Sequence, residues 1–318
     1  MIYLSDVSPW VLRATAVAWG LLWGSFLNVV IHRVPRDMSV IKPDSHCPAC
    51  ETPIPFYRNV PVLSWLWLRG RAACCGTRIP ARYALVELIG GVLCLAAAEA
   101  TMAALGQRVE LFHAAMVFLA HSSLCLALAA AAFIDLEFMI LPDRITIGGT
   151  VLGLFTPTFR GMDYTDAFLG AAIGFLLVWV VFDRGYRALR GVPGMGLGDA
   201  KLLMLAGAWF GWSGALFVLG AGAIQGSVAA VIAVVTGRGL DDPDAVKRER
   251  EELRAELETL PEAEREALMA ELDGDPLLEL PGEGLGRARI AFGPFLILAI
   301  LETLLIGRER IFAWLLSV

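Results

Sequence analysis

A chain of 318 residues with 57% hydrophobic and only 18% charged side chains is not an ordinary soluble domain, in which about a quarter of the residues are charged. A mean hydropathy of +0.64 places it in a membrane. The net charge of −6 is uneven: residues 237–290 hold sixteen acidic and eight basic side chains, a balance of −8 that leaves +2 for the remainder and no basic face for nucleic acid.

A spanning helix needs roughly 20 predominantly apolar residues. In chain order, the pattern predicts spans over 10–31, 84–105, 113–134, 145–159, 167–183, 200–212, 214–236 and 291–306. The segments 145–159 and 200–212 are short, but omitting either puts a charged loop on the wrong side. The first stretch runs into HRVPR without a small-residue cleavage pattern, so it reads as a retained span and not a signal peptide. Between the first two spans lie Arg33, Arg36, Lys42, Arg58, Arg69, Arg71, Arg78 and Arg82, which place that loop in the cytoplasm and the N-terminus outside. Eight crossings then return 135–144, 184–198 and 237–290 to the cytoplasm, and leave Arg308 and Arg310 outside as a small violation.

The expected fold is all-α: a polytopic membrane protein of about eight transmembrane helices with a small loop-rich cytoplasmic subdomain. Its parts are the first span (1–32), a Cys-containing cytoplasmic subdomain (33–83), a transmembrane core (84–236), a charged helical insert (237–290) and the last span with the C-terminus (291–318). Seven prolines between Pro35 and Pro80 exclude long helices from the first insert. Four of the six cysteines, Cys47, Cys50, Cys74 and Cys75, lie there, whereas Cys94 and Cys125 fall within spans as small core residues. The second insert reads as a solvated hairpin of two amphipathic helices ending near Gly274. Asp244 starts it, Pro261 breaks it, and Leu253, Leu257 and Leu260 form a thin apolar stripe. No internal repeat is visible.

Charges at the edge of a span are costly and ask for a reason. Asp135 closes the third span in IDLEFMILPD, and Asp199 follows Gly194, Gly196 and Gly198 in GMGLGDAK at the start of the sixth. Two spans separate them, so both aspartates lie on one membrane face. Such a pair suits hydrolysis: one carboxylate removes a proton from water while the other, protonated, donates to the scissile carbonyl oxygen. The glycines would let an extended substrate approach closely. Gly-Asp before an apolar run is equally an ordinary helix N-cap. Glu137 and Asp143 are rival carboxylates that read as solvated or capping, and Lys201 either pairs with a carboxylate or faces lipid headgroups. The chain has no H-E-x-x-H and no G-x-S-x-G. His113 and His121 fall in the third span as packing or hydrogen-bonding residues, and His32 and His46 read as structural.

In the right order, GSFLNVVIHRVP (24–35), CPAC (47–50), NVPVLSWLWLRGR (59–71), RYALVELIGG (82–91), IDLEFMILPDRIT (134–146), GMGLGDAKLLMLAGAWFGW (194–212) and FGPFLILA (292–299) resemble the type IV prepilin peptidases, bifunctional leader peptidases and N-methyltransferases of bacterial inner membranes. The resemblance implies that Asp135 and Asp199 are catalytic. It implies prepilin or type II secretion pseudopilin substrates, cleaved after a glycine at the cytoplasmic face of the inner membrane and then methylated with S-adenosylmethionine. Glu87, inside RYALVE, is either a contributor to that cofactor's site or an interhelical hydrogen-bonding residue. The family commonly has two C-x-x-C pairs, but here Ala72 stands where a cysteine is expected and Cys74 and Cys75 are adjacent. Four thiolates could hold a structural zinc, although adjacent side chains tend to diverge. Two other readings are open: a presenilin-like intramembrane GxGD protease, and a non-enzymatic transporter or assembly factor using the aspartates as a proton site.

Overall fold

The computed structural model describes residues 2–106, 108–190, 195–236, 244–262, 264–265, 291–307 and 310. It is built of helices: α1 (Pro9–Arg33), α2 (Arg82–Leu105), α3 (Leu111–Phe138), α4 (Asp143–Phe155), α5 (Tyr164–Leu176), α6 (Leu197–Thr236), α7 (Asp244–Thr259) and α8 (Gly293–Leu305). α5 continues through a π-helical stretch, Leu177–Gly185, to Arg190. Among the described residues there is no strand, only isolated bridges. Five helices among the described residues are long and apolar enough to cross a membrane.

The longest helix is not one rod. Gly211 has φ 71° and ψ −178°, the conformation that also ends α2 at Gly106. Only glycine takes such a conformation without strain, and the chain reverses there. Neighbours on either side show the reversal. Before Gly211, Gly198 lies against Leu141 and Gly207 against Gly170; after it, Gly222 lies against Leu296 and Gly226 against Phe292. Gly198 at the start of α6 and Gly293 at the start of α8 both touch Leu141. The second limb, 212–236, therefore runs antiparallel to α8 and back toward the end where α6 began. The segments 200–212 and 214–236, expected as two spans, lie in these two limbs.

Small residues set the closest helix pairs. A Cβ on Gly20 would strike the backbone of Gly90 on α2, and one on Gly170 would strike the Gly207 carbonyl. Without a hydrophobic driving force between helices in lipid, such backbone approach supplies the packing. α3 is the most enclosed span, burying Leu124, Cys125, Leu128, Ala130 and Ile134 among α2, α4 and α8.

Beyond the end of α4, Arg160 reaches across two helix termini. It donates to the carbonyls of Thr156, Gly153, Ala208 and Trp209, and stacks 4.4 Å over the Trp209 ring. The final carbonyls of α4 and of the first limb of α6 have no helical partners of their own, so one guanidinium satisfies both ends. Arg160→Ala is expected to destabilise the protein by about 3 kcal/mol. Unfolding in detergent would show it as a clear drop in midpoint, and an unchanged midpoint would refute the capping role.

The charged insert is not wholly solvated. α7 starts at Asp244, as its sequence predicts, and rests against α3; Val246, Arg250 and Leu257 are buried, with Leu253 half-buried on the same stripe. The second helix expected up to Gly274 lies largely outside the described residues.

Candidate active site

Asp135 stands in the last turn of α3, and its exposure is only 5%. The helix ends because Met139 takes a left-handed conformation, φ 54°, with its N–H donating to the Asp135 carbonyl at 2.8 Å. Ile140, Leu141 and Pro142 then carry the chain into α4 at Asp143. Asp199 is the third residue of α6, and its N–H donates to the Gly196 carbonyl at 3.1 Å. Its carboxyl folds back over Gly196, where an added Cβ would sit 3.6 Å from Oδ2. Gly194 lies outside the described residues.

These two segments meet. Asp135 Oδ2 lies against Gly293, and both Gly293 and Gly198, the residue before Asp199, lie against Leu141, so the two aspartates flank one turn. Leu141 lies between their supports: a Cβ on Gly198 would be 3.2 Å from Leu141 Cβ, and one on Gly293 would be 3.1 Å from Leu141 Cδ1. Asp135 Oδ2 is buried and accepts no hydrogen bond among the described residues. A buried carboxylate oxygen without a donor is expensive, which marks it as held for a purpose other than stability.

The rival carboxylates are otherwise engaged. Asp143 receives Lys201 Nζ at 2.6 Å, tying the start of α4 to the start of α6, so Lys201 pairs with a carboxylate. Glu137 pairs with Arg82, which also lies over Phe133. Both pairs are substantially exposed and form the rim of the site. His121 donates to or accepts from Thr101 within the bundle, and His113 packs on Phe159.

The first insert contains a structural repeat whose sequence trace is the pattern C-x-T-x-I-P at 50–55 and 75–80. Residues 45–55 and 70–80 make the same bonds at an offset of 25 positions. Cys47 N–H donates to Thr52 O as Ala72 N–H does to Thr77 O; Glu51 to Cys47 O as Gly76 to Ala72 O; Ile54 to Ser45 O as Ile79 to Gly70 O. The bridges His46–Pro53 and Arg71–Arg78 correspond, and so do the positive φ angles of Glu51 and Gly76. Only Cys50/Cys75, Thr52/Thr77, Ile54/Ile79 and Pro55/Pro80 are identical between the two, so the expectation of no internal repeat is corrected. Ala72 occupies the place of Cys47, and Cys74 the place of Ala49.

Despite that displacement, all four sulphurs lie within 4.8 Å of one another. Cys50 and Cys74 are 3.3 Å apart, Cys47 and Cys75 3.7 Å, and Cys74 and Cys75 3.9 Å. Zinc–sulphur bonds of about 2.3 Å in a tetrahedron require separations of roughly 3.8 Å, so the residues fit the ion and the expected divergence of adjacent cysteines does not occur. The Thr52 hydroxyl and backbone hold the Cys50 thiol down at about 6, and Thr77 lowers Cys75 in the same way. The hydrogen bond with Cys50 pushes Cys74 up to about 12.

Among the described residues, the hydrogen bond of Glu87 is to the first insert and not to another helix. Its Oε2 accepts the Val62 N–H at 2.6 Å, holding Val62 at φ 60° against α2. That conformation is an outlier for a β-branched residue and costs about 1–3 kcal/mol, so Glu87 fastens the insert to the bundle. Arg33, also buried, fastens the other side through the carbonyls of Ser39 and Pro43. Sequence reasoning singled out neither Leu141, Gly293, Arg33 nor Arg160. Leu141, Gly293 and Arg33 do fall inside the motifs IDLEFMILPDRIT, FGPFLILA and GSFLNVVIHRVP, whereas Arg160 falls in none.

Fold and site together define a multi-pass helical membrane protein with a carboxylate pair at one end of its bundle. Residues 18–101 match the bacterial peptidase A24 N-terminal domain, and residues 122–231 match the type IV leader peptidase family. A prepilin leader peptidase/N-methyltransferase of Myxococcus xanthus is 39% identical over 221 residues, covering 69% of this chain and 62% of the relative. Proteins of the same name from Aeromonas hydrophila and Neisseria gonorrhoeae are each 35% identical, covering 80% and 84% of those relatives. No solved structure matches the chain. The chain belongs to the type IV leader peptidase family and is an aspartic leader peptidase. The transporter and presenilin-like readings, which leave the matched N-terminal domain without a role, are not favoured.

Proposed function

We propose that this protein removes the short basic leader from type IV prepilins or pseudopilins, cutting after a glycine, with Asp135 and Asp199 as the catalytic pair. The observation that carries this reading is the meeting of the two aspartates, 64 positions apart in sequence, through α3, α6 and the Leu141 turn. Two close carboxyl groups cannot both ionise cheaply, so the pair holds one proton. The ionised member takes a proton from water as the oxygen attacks the scissile carbonyl, and the protonated member donates to the carbonyl oxygen. As the tetrahedral intermediate collapses, the member that took the proton from water passes it to the departing amine and the other recovers its proton from the intermediate's hydroxyl, so the dyad returns to its starting state.

The site lies at the cytoplasmic face of the inner membrane, in an eight-crossing topology. The basic residues of 33–83 support that side, and the reversal at Gly211 supplies the extra crossing. The rim of Arg82, Glu137, Lys201 and Asp143 would stand at the headgroup level, where a substrate's leader meets its apolar segment.

After cleavage the same protein methylates the new N-terminal amine, as the names of its relatives imply for them. S-adenosylmethionine supplies the methyl group when bound. Glu87 Oε2 is engaged with the Val62 N–H, and no step is routed through that residue. The four cysteines would hold a structural zinc, which would pin the two halves of the insert together.

The test is cleavage of a model prepilin by the purified protein, with products weighed by mass spectrometry. Release of the leader and a further gain of about 14 Da, one methyl group, are the expected results. An intact cognate substrate after prolonged incubation would refute the peptidase reading.

A further inference from the structure

We propose that Gly293, at the start of α8, is a positioning residue that fixes the plane of the Asp135 carboxyl group. The inference rests on the reading of Asp135 as catalytic. Three observations meet at this point. Among the described residues, Asp135 Oδ2 is buried and has no hydrogen-bond donor, so no polar contact at that oxygen fixes the rotation of the carboxyl. A Cβ on Gly293 would fall on that oxygen and lie 3.1 Å from Cγ, so the glycine Cα is what Oδ2 rests against. The same Cβ would lie 3.1 Å from Leu141 Cδ1, and Leu141 in turn packs on Gly198, next to Asp199.

Gly293, Leu141 and Gly198 thus form a steric seat between the two aspartate segments. The terminal torsion of an aspartate is broad and roughly two-fold, and a carboxyl group without hydrogen bonds would turn within it. With Oδ2 against Gly293, Oδ1 is the oxygen presented to the water or the scissile carbonyl. Any side chain at 293 must push Oδ2 aside, and a misplacement of about 1 Å costs on the order of a hundredfold in rate.

Glycine before Pro294 has a second possible reason, because alanine before proline disfavours helical backbone. The variants Gly293→Ala, Pro294→Ala and the double Gly293→Ala/Pro294→Ala separate the two causes. Gly226→Ala is the control on the same helix pair, since its Cβ would make ordinary contacts of 3.4–3.6 Å with Phe292 and Phe295. Each is compared with wild type and Asp135→Asn for prepilin cleavage across pH, with the unfolding midpoint in detergent measured alongside.

Gly293→Ala is expected to lower kcat about a hundredfold with KM within twofold, to displace a limb of the pH profile, and to leave the midpoint within a few degrees. The double variant should remain as slow, while Pro294→Ala and Gly226→Ala stay near wild type. Three results would each overturn the proposal: kcat of Gly293→Ala within threefold of wild type, recovery of rate in the double variant, or a loss of rate matched by loss of the folded midpoint. Cleavage by Asp135→Asn at the wild-type rate would remove the underlying site reading instead.

Discussion

Asp135→Asn and Asp199→Asn are each expected to lower kcat for leader release by about a thousandfold or more, while KM changes little. Asparagine keeps the volume and polarity of aspartate but carries no proton to transfer at neutral pH, and positioned acid–base catalysis contributes about 10²–10⁴ in rate. Both variants should fail to the same order, because the reaction needs one member ionised and the other protonated. The pH profile of kcat/KM in the wild type should be bell-shaped, with its two limbs belonging to the pair and not to either residue. Asp143→Asn and Glu137→Gln set the contrast. Their carboxylates are 57% and 38% exposed and serve surface ion pairs with Lys201 and Arg82, each worth no more than about 1 kcal/mol. These two should keep cleavage within about fivefold of wild type. If they failed as badly as the buried pair, the chemistry would have to be moved to the rim.

The cysteine cluster yields the other large effect. Cys74→Ala should lower zinc affinity by more than about a hundredfold, since even outer-shell changes reach that size and here a thiolate ligand is lost. The double variant Ala72→Cys/Cys74→Ala should bind one zinc per chain again. The reason is the 25-residue repeat: position 72 makes the backbone bonds that position 47 makes in the first half, so a cysteine there would present its sulphur as Cys47 does. Zinc content of the purified, unchelated protein, with competition by a chromophoric chelator, reads both outcomes. Full zinc retention in Cys74→Ala would reduce the site to three cysteines. Failure of the double variant would mean that the two halves are not equivalent around the metal.

The spans were legible because lipid imposes a blunt requirement: about 20 apolar residues with every backbone group paired internally. The apolar runs at 10–31, 84–105 and 113–134 accordingly fall inside α1, α2 and α3. The parity of crossings put Asp135 and Asp199 on one side before any geometry was known. The repeat in the insert left only the short trace C-x-T-x-I-P at 50–55 and 75–80, because the rest of it resides in backbone hydrogen bonds that tolerate Ala72 for Cys47 and Gly76 for Glu51. The role of Glu87 was hidden for a similar reason: its partner is a main-chain N–H, and Val62 bears no residue-specific sign of it.

The amino-acid sequence by itself determined that this protein is a multi-pass helical membrane protein, which residues carry its charge at the membrane edge, and which family's motifs it bears. Those properties are local and follow from hydropathy, spacing and residue identity. Only the tertiary structure decided that Gly211 reverses α6, that Leu141 and Gly293 close around Asp135, that Arg160 caps two helices at once and that four unevenly spaced sulphurs converge. Each of these depends on which segments become neighbours. A glycine, a leucine or a lone arginine has no functional signature until the atom it packs against is known.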